Sequence, residues 1–142
     1  MARPHLFQPL LAKHARDHRL VNRSRSLVLA AVVEPAFDSQ SRRKGLLGRR
    51  TLPLDTVIAI APSNAIHTFG MQFPIDVLFI TRDGRVVKRV LALKARRLAV
   101  AVRAFAVLEF AAGHPGVGAT QVGDQLTLEE SAPPPPVHSN KS

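Results

Sequence analysis

The sequence feature that most constrains the fold is a pair of hydrophobic runs separated by a turn signal. The first run, Ile75–Thr81, is short and rich in β-branched and aromatic residues, which is typical of a buried strand. It is followed by Arg82–Arg85, in which an Asp-Gly pair predicts a type I′ hairpin turn. The second run, Val86–Leu93, is the predicted return strand. The centre of the chain is therefore predicted to be a β-hairpin.

Similar short strand signals lie on both sides of this hairpin, and one short helix is predicted between them. The helix begins near Asp38, a suitable N-cap residue, and extends to about Leu47. Repeated βαβ units are not predicted. The fold class is therefore predicted to be mainly β with an α+β tendency, either a compact antiparallel sandwich or a distorted small barrel with one or two short helices. The further predicted strands are Leu27–Val33, Val57–Ile60, Ile66–Phe69, Phe105–Phe110 and Gln125–Glu129.

The chain length of 142 residues suits one domain. Residues 27–130 are predicted to form a single β-rich domain. Residues 1–26 are polar and basic and are predicted to form a loosely ordered N-terminal arm. Residues 131–142 contain a run of prolines and are predicted to be a disordered tail.

The charge of the chain is strongly basic and unevenly distributed. The formal net charge is +10, and residues 1–50 carry 11 basic side chains against 3 acidic ones. Such a surface attracts nucleic acid or anionic lipid. Base-stacking aromatic residues are not interleaved with the arginines, so nucleic-acid binding through the basic arm is only a weakly supported alternative.

Several classes of protein are excluded or disfavoured by composition. The chain has no cysteine, which excludes disulfides, thiolate nucleophiles and cysteine-ligated metal centres. No hydrophobic run approaches the length that spans a bilayer, so no membrane association is predicted. The run Leu27–Val33 continues into Glu34-Pro35 rather than into a cleavage site, which argues against a signal peptide. A cytoplasmic location is the expectation.

Four motifs stand in order along the chain. They are Arg43-Lys44-Gly45-Leu46-Leu47-Gly48-Arg49, the segment Ile66–Ile80, Val107-Leu108-Glu109-Phe110-Ala111-Ala112-Gly113 and Val122-Gly123-Asp124-Gln125-Leu126. In this order they resemble the motifs of the prokaryotic family called domain of unknown function number 192, over roughly residues 27–129. The resemblance implies a compact β-rich fold, and it implies no established activity, cofactor or substrate.

Polar side chains in the otherwise hydrophobic segment Ile66–Ile80 are candidates for a functional site. Side chains alternate in extended backbone, which places His67 and Met71 on one face. Asp76 is predicted to be at least partly buried, and a buried carboxylate needs a partner. The candidate partners are His67, an arginine or backbone N–H groups. The full candidate set is His67, Thr68, Met71, Asp76, Arg43 and Arg49.

Two interpretations of this set remain open. In the first, His67 is an acid, base or ligand, Asp76 orients it, and Arg43 or Arg49 holds an anionic group. In the second, the polar groups form a structural network that locks the bend at Gly70–Pro74. A soft metal such as Cu(I) would need a further ligand, such as His114, beside His67 and Met71. The sequence offers only His67 and Met71 as firm ligands, so no metal and no cofactor are predicted.

The resulting functional prediction is a binding or accessory module for a small ligand or a protein partner. The alternatives are an enzyme that uses His67 and Asp76, and a weak nucleic-acid binder. Glu109 lies within a predicted hydrophobic strand, where it is expected to pair with an arginine or to cap the turn at Gly113.

Overall fold

The computed structural model describes residues 5–11, 17–44, 46–131 and 136. A short 3₁₀ helix, Gln8–Leu11, precedes the first strand, and the α-helices of the described residues are α1 (Ser39–Lys44) and α2 (Pro115–Ala119). The strands of these residues are β1 (His18–Asn22), β2 (Leu27–Ala30), β3 (Val32–Ala36), β4 (Thr56–Ile60), β5 (Ala65–His67), β6 (Ile75–Ile80), β7 (Val86–Leu93), β8 (Leu98–Val100), β9 (Ala106–Ala111) and β10 (Leu126–Glu130).

A five-stranded sheet with the order β3-β4-β9-β6-β7 forms the middle layer. Only the β3–β4 pair is parallel, and the other neighbours are antiparallel. Every residue of β4 and β6 is buried. Hydrophobic residues occupy consecutive positions in both strands because both faces of the sheet are covered.

The first face of this sheet packs against a three-stranded sheet with the order β10-β1-β2. Side chains from both sheets form one hydrophobic cluster, in which Leu20 and Leu126 meet Leu78, Leu108 and Phe110. All five side chains are fully buried or nearly so. This face is the larger core of the domain.

The second face is covered by the antiparallel β5–β8 ribbon and by the segment 46–52 that follows α1. Leu46, Leu52 and Ile66 pack there against Ile58 and Val77 of the central strands. The covering elements are short, so the layer on this face is thin. The candidate site lies in it.

The predicted fold class is confirmed, since the chain is mainly β with two short α-helices in its described part and the β6–β7 hairpin is present. Among the described residues no sheet closes into a barrel. One detail differs from the prediction of purely antiparallel strands: β3 and β4 are parallel, because the chain crosses over through α1 between them. Helix α1 ends at Lys44 and does not reach Leu47.

The type I′ turn predicted between β6 and β7 is wrong. That turn requires a positive φ at both central residues, and within Arg82–Arg85 only Gly84, at +92°, has one. The N–H of Gly84 donates to the carbonyl of Thr81 at 3.0 Å, and the N–H of Thr81 donates to the carbonyl of Arg85 at 2.9 Å. These bonds make a longer loop in which glycine takes the left-handed position.

The prediction of a loosely ordered arm over residues 1–26 is wrong for residues 5–11 and 17–26. Strand β1 is the central strand of the three-stranded sheet, paired to β10 and β2, and Phe7 is completely buried. Leu20 and Phe7 fill the core on the first face, and this packing orders the segment. Of the predicted tail, residues 132–135 and 137–142 lie outside the described residues. Within the described residues, no helix is long and hydrophobic enough to cross a membrane.

Candidate functional site

A cleft of about 350 Å³ opens on the second face of the five-stranded sheet, beside α1 and β5. Its lining combines cationic side chains from α1, hydrophobic side chains and a carboxyl group from the central strand β9. The lining residues are Ser39, Arg42, Arg43, Lys44, Leu46, Leu47, Ile60, Pro62, Ser63, Ala65, Ile66, His67, Met71 and Glu109.

The cationic part of the cleft comes from the last turn of α1. The start of this helix is fixed by Asp38, whose carboxylate accepts the N–H and the hydroxyl of Ser41 at 2.7 Å each. These two hydrogen bonds hold the pKa of Asp38 below its usual value.

The basic side chains of α1 differ in their partners. Arg42 donates to the carbonyl of Phe37 at 2.6 Å. Arg43 and Lys44 are exposed, and within the described part of the chain their side chains make no hydrogen bond or ion pair.

The carboxyl group of Glu109 is the most unusual feature of the cleft. Glu109 is only 5% exposed and lies on β9 opposite Ile58 of β4 and Val77 of β6. Its Oε2 atom is buried, and no hydrogen-bond partner for it exists among the described residues. Burial raises the pKa of Glu109 to about 7. The group therefore changes charge near neutral pH, and its Oε2 is left without a hydrogen bond from the described residues.

Glu109 neither pairs with an arginine nor caps the turn at Gly113. Within the described residues it takes part in no ion pair, and the N–H of Gly113 donates to Asp76 instead, at 3.0 Å. Sequence reasoning assigned Glu109 no part in the site. The available signal was an acidic residue within an otherwise hydrophobic strand.

Three of the six predicted site residues meet at the cleft. Arg43, His67 and Met71 line it together, and they come from α1, β5 and the loop after β5. His67 is exposed, and its ring centroid lies 5.8 Å from that of Phe69. The structure thus gathers an imidazole, a thioether and a guanidinium group around one opening.

Thr68 is buried beside the cleft, and its hydroxyl makes hydrogen bonds to the backbone of a neighbouring loop. Its hydroxyl donates to the carbonyl of Lys94 at 2.6 Å and accepts the N–H of Arg97 at 2.8 Å. These bonds tie the end of β5 to the loop that precedes β8. Thr68 therefore holds the ribbon that covers the second face.

The substitution Thr68→Val is expected to lower the free energy of unfolding by about 2 kcal/mol, because two buried hydrogen bonds are lost while the shape is kept. Urea unfolding measures this change. The exposed Thr51→Val is the matched control, with an expected change within about 0.5 kcal/mol. Equal effects of the two substitutions would show that the Thr68 bonds do not hold the ribbon.

Asp76 and Arg49 lie apart from the cleft. Asp76 faces the first side of the sheet, where its two carboxylate oxygens accept the N–H groups of Ala92 at 2.8 Å and Gly113 at 3.0 Å. Arg49 forms an ion pair with Glu34 at 2.6 Å. Of the partners considered for Asp76, backbone N–H groups are the ones observed, and His67 and Asp76 are not brought together.

His114 is also separate from the cleft. Its Nδ1 atom accepts the N–H groups of Gly116 and Val117 and caps the start of α2. It therefore does not join His67 and Met71. Among the described residues no group of three or more histidine, aspartate or glutamate side chains is arranged to hold a metal ion.

The fold and the cleft define a small β-rich domain with a ligand-sized opening on one side of its central sheet. The sequence profile of the DUF192 family, described as Uncharacterized ACR, matches residues 20–128, and the chain belongs to this family. This confirms the family indicated by the four motifs.

Two solved structures share the fold. A protein of unknown function from Novosphingobium aromaticivorans DSM 12444 superposes with a TM-score of 0.64 at 22% identity, over 77% of this chain and 81% of that one. A candidate transcription regulator from Sinorhizobium meliloti 1021 superposes with a TM-score of 0.66 at 26% identity, over 77% of this chain and 89% of that one. No curated protein matches the chain.

Proposed function

We propose that this chain is a binding module whose cleft takes a small molecule bearing an anionic group. The observation that carries the proposal is the buried Glu109 carboxyl, which lines the cleft and whose Oε2 has no hydrogen-bond partner among the described residues. Buried polar groups in folded proteins nearly always have a partner, so an orphaned one that faces an opening marks a position for a ligand group. The other side chains that line the cleft indicate which chemical groups the ligand carries.

The charges around the cleft indicate an anionic ligand. Arg43 and Lys44 line the opening without a protein partner among the described residues, and His67 adds a further nitrogen donor. Basic side chains bind carboxylate and phosphate groups through charge-assisted hydrogen bonds. A volume of about 350 Å³ is at the small end of the range for ligand pockets, which favours a small molecule.

The other candidate functions have less support from the geometry. An enzyme that relies on His67 oriented by Asp76 would need contact between them, whereas both Asp76 oxygens accept backbone N–H groups on the first side of the sheet. Nucleic-acid binding through the N-terminal segment would compete with the ion pairs of Arg19 with Glu129 and of Arg25 with Asp124. The small-ligand function therefore accounts best for the site.

The test is a thermal-melting screen with short carboxylates and alkyl phosphates. A ligand that binds only the folded state raises the melting temperature, and the rise grows with the ratio of ligand concentration to Kd. We expect at least one of these anions to stabilise the wild type, and the double variant Arg43→Ala/Lys44→Ala to bind it on the order of tenfold more weakly.

Arg49→Ala is the matched control, because it removes one positive charge from the same segment but outside the cleft. It is expected to keep the wild-type response. The proposal is contradicted if no anion shifts the melting temperature, or if Arg49→Ala weakens binding as much as the double variant.

A further inference from the structure

We infer, on the basis of this binding function, that the ligand also carries an amino group that pairs with Glu109, at the end opposite its anionic group. The cleft then recognises a small zwitterion with separated charges. In this arrangement Glu109 binds the cationic group of the ligand, and the basic side chains of α1 bind its anionic group.

Among the described residues, none compensates the charge of Glu109 through an ion pair. The residues opposite it on the neighbouring strands, Ile58 and Val77, are hydrophobic and buried. A buried carboxylate is costly unless a cation or strong donors pair with it. An ammonium group supplies three donors and a positive charge, and the described residues give Glu109 Oε2 no donor and Glu109 no ion pair.

The cationic residues of the cleft do not fill this role themselves. Arg43 and Lys44 line the same opening, but no ion pair joins either of them to Glu109, and Arg42 donates to the carbonyl of Phe37. His67 is the remaining titratable group of the lining. The cleft therefore contains an acidic group and basic groups that are not paired with each other, and a molecule with a cation at one end and an anion at the other would pair with both.

The hydrophobic side chains of the lining indicate what joins the two charges of the ligand. Leu46, Ile60, Ile66 and Met71 line the walls of the cleft. Such walls favour methylene groups over polar ones. The ligand class is thus a short ω-amino acid or aminoalkyl phosphate. The raised pKa of Glu109 agrees with this, since an ammonium partner would hold the carboxyl ionised and its binding would release a proton.

The experiment compares straight-chain ω-amino acids with the alkanoic acids of the same chain length, using titration calorimetry on the full chain at neutral pH. Each pair differs only in the amino group. We expect the best amino acid to bind about tenfold or more tightly than its matched alkanoic acid. In Glu109→Gln this preference is expected to disappear, while the alkanoic acid still binds.

Glu34→Gln is the control, since it neutralises a carboxylate that pairs with Arg49 outside the cleft, and it is expected to keep the preference. Equal affinity of both members of every pair for the wild type would overturn the amine assignment and leave the anion-binding function standing. An unchanged preference in Glu109→Gln would also overturn it. A complete absence of binding by both classes would overturn the binding function itself.

Discussion

The Glu109→Gln variant is expected to be more stable than the wild type at pH 8 by about 3 kcal/mol. Glutamine has nearly the shape of the protonated acid and never ionises. The pKa of Glu109 is raised by burial from 4.5 to about 7. A difference of that size between the folded and unfolded states corresponds to about 3 kcal/mol of unfolding free energy once both pKa values are exceeded.

The direction of the pH dependence follows from where the proton is released. Below pH 4.5 Glu109 is protonated in both the folded and the unfolded wild type, and its burial lowers the free energy of unfolding only slightly. Between pH 4.5 and about 7 the unfolded chain has released the proton while the folded chain retains it, so stability falls as the pH rises. Above about pH 7 the carboxyl is ionised in both states, and the loss of unfolding free energy no longer changes with pH.

Urea unfolding of the two proteins between pH 5 and pH 8 measures this difference. We expect the advantage of Glu109→Gln to grow from about 1 kcal/mol at pH 5 to about 3 kcal/mol at pH 8. Glu34→Gln, which alters a partly exposed pair, is expected to follow the wild-type curve in shape. Parallel curves for Glu109→Gln and the wild type would show that Glu109 is not a buried, unpaired acid.

The Asp76→Ala variant is expected to lose about 3 kcal/mol of unfolding free energy. The carboxylate of Asp76 is 3% exposed and accepts two backbone N–H groups, from Ala92 and Gly113. Hydrogen bonds to a charged group contribute roughly 1.5 kcal/mol or more each, and their donors are left unpaired when the carboxylate is removed. Both donors belong to unusual backbone, with φ values of +52° at Ala92 and +89° at Gly113.

The measurement combines urea unfolding with amide hydrogen exchange. Asp76→Ala is expected to accelerate exchange at Ala92 and Gly113, since these N–H groups lose their acceptor. Asp55→Ala is the control, because Asp55 is exposed and, in the part of the chain that the structure describes, its carboxylate accepts the hydroxyl of its neighbour Thr56 alone. A folded Asp76→Ala variant with wild-type stability would contradict the structural role, and a selective loss of ligand binding would place Asp76 in the site.

Strong local patterns made much of the sheet predictable from the sequence. Strands β6 and β9 are hydrophobic apart from Asp76 and Glu109, and the Asp-Gly pair marks the turn after β6, although not its type. Strand β1 was missed because His18–Asn22 has little hydrophobic alternation and a charged residue at its second position. Its place is set by pairing with β10, far away in sequence. Such pairing leaves no local signal.

The candidate site was predictable only in part, because contacts between residues that are far apart in sequence leave no local signal. The motifs around Arg43 and His67 contain side chains that meet at the cleft. Asp76 was expected to be buried and to need a partner, but backbone donors and side-chain donors cannot be distinguished from spacing alone. The importance of Glu109 depends on a missing partner, which is a property of the folded surroundings and not of the strand that carries it.

The most direct test of the account is a carbon-13 NMR titration of the Glu109 side-chain carboxyl in the wild-type protein, with and without the best-binding ω-amino acid. The account predicts a midpoint near pH 7 for the free protein and a lower midpoint with the ligand bound, because an ammonium partner favours the ionised form. A midpoint near 4.5 in the free protein would contradict the central claim that an unpartnered, buried carboxyl lines the cleft.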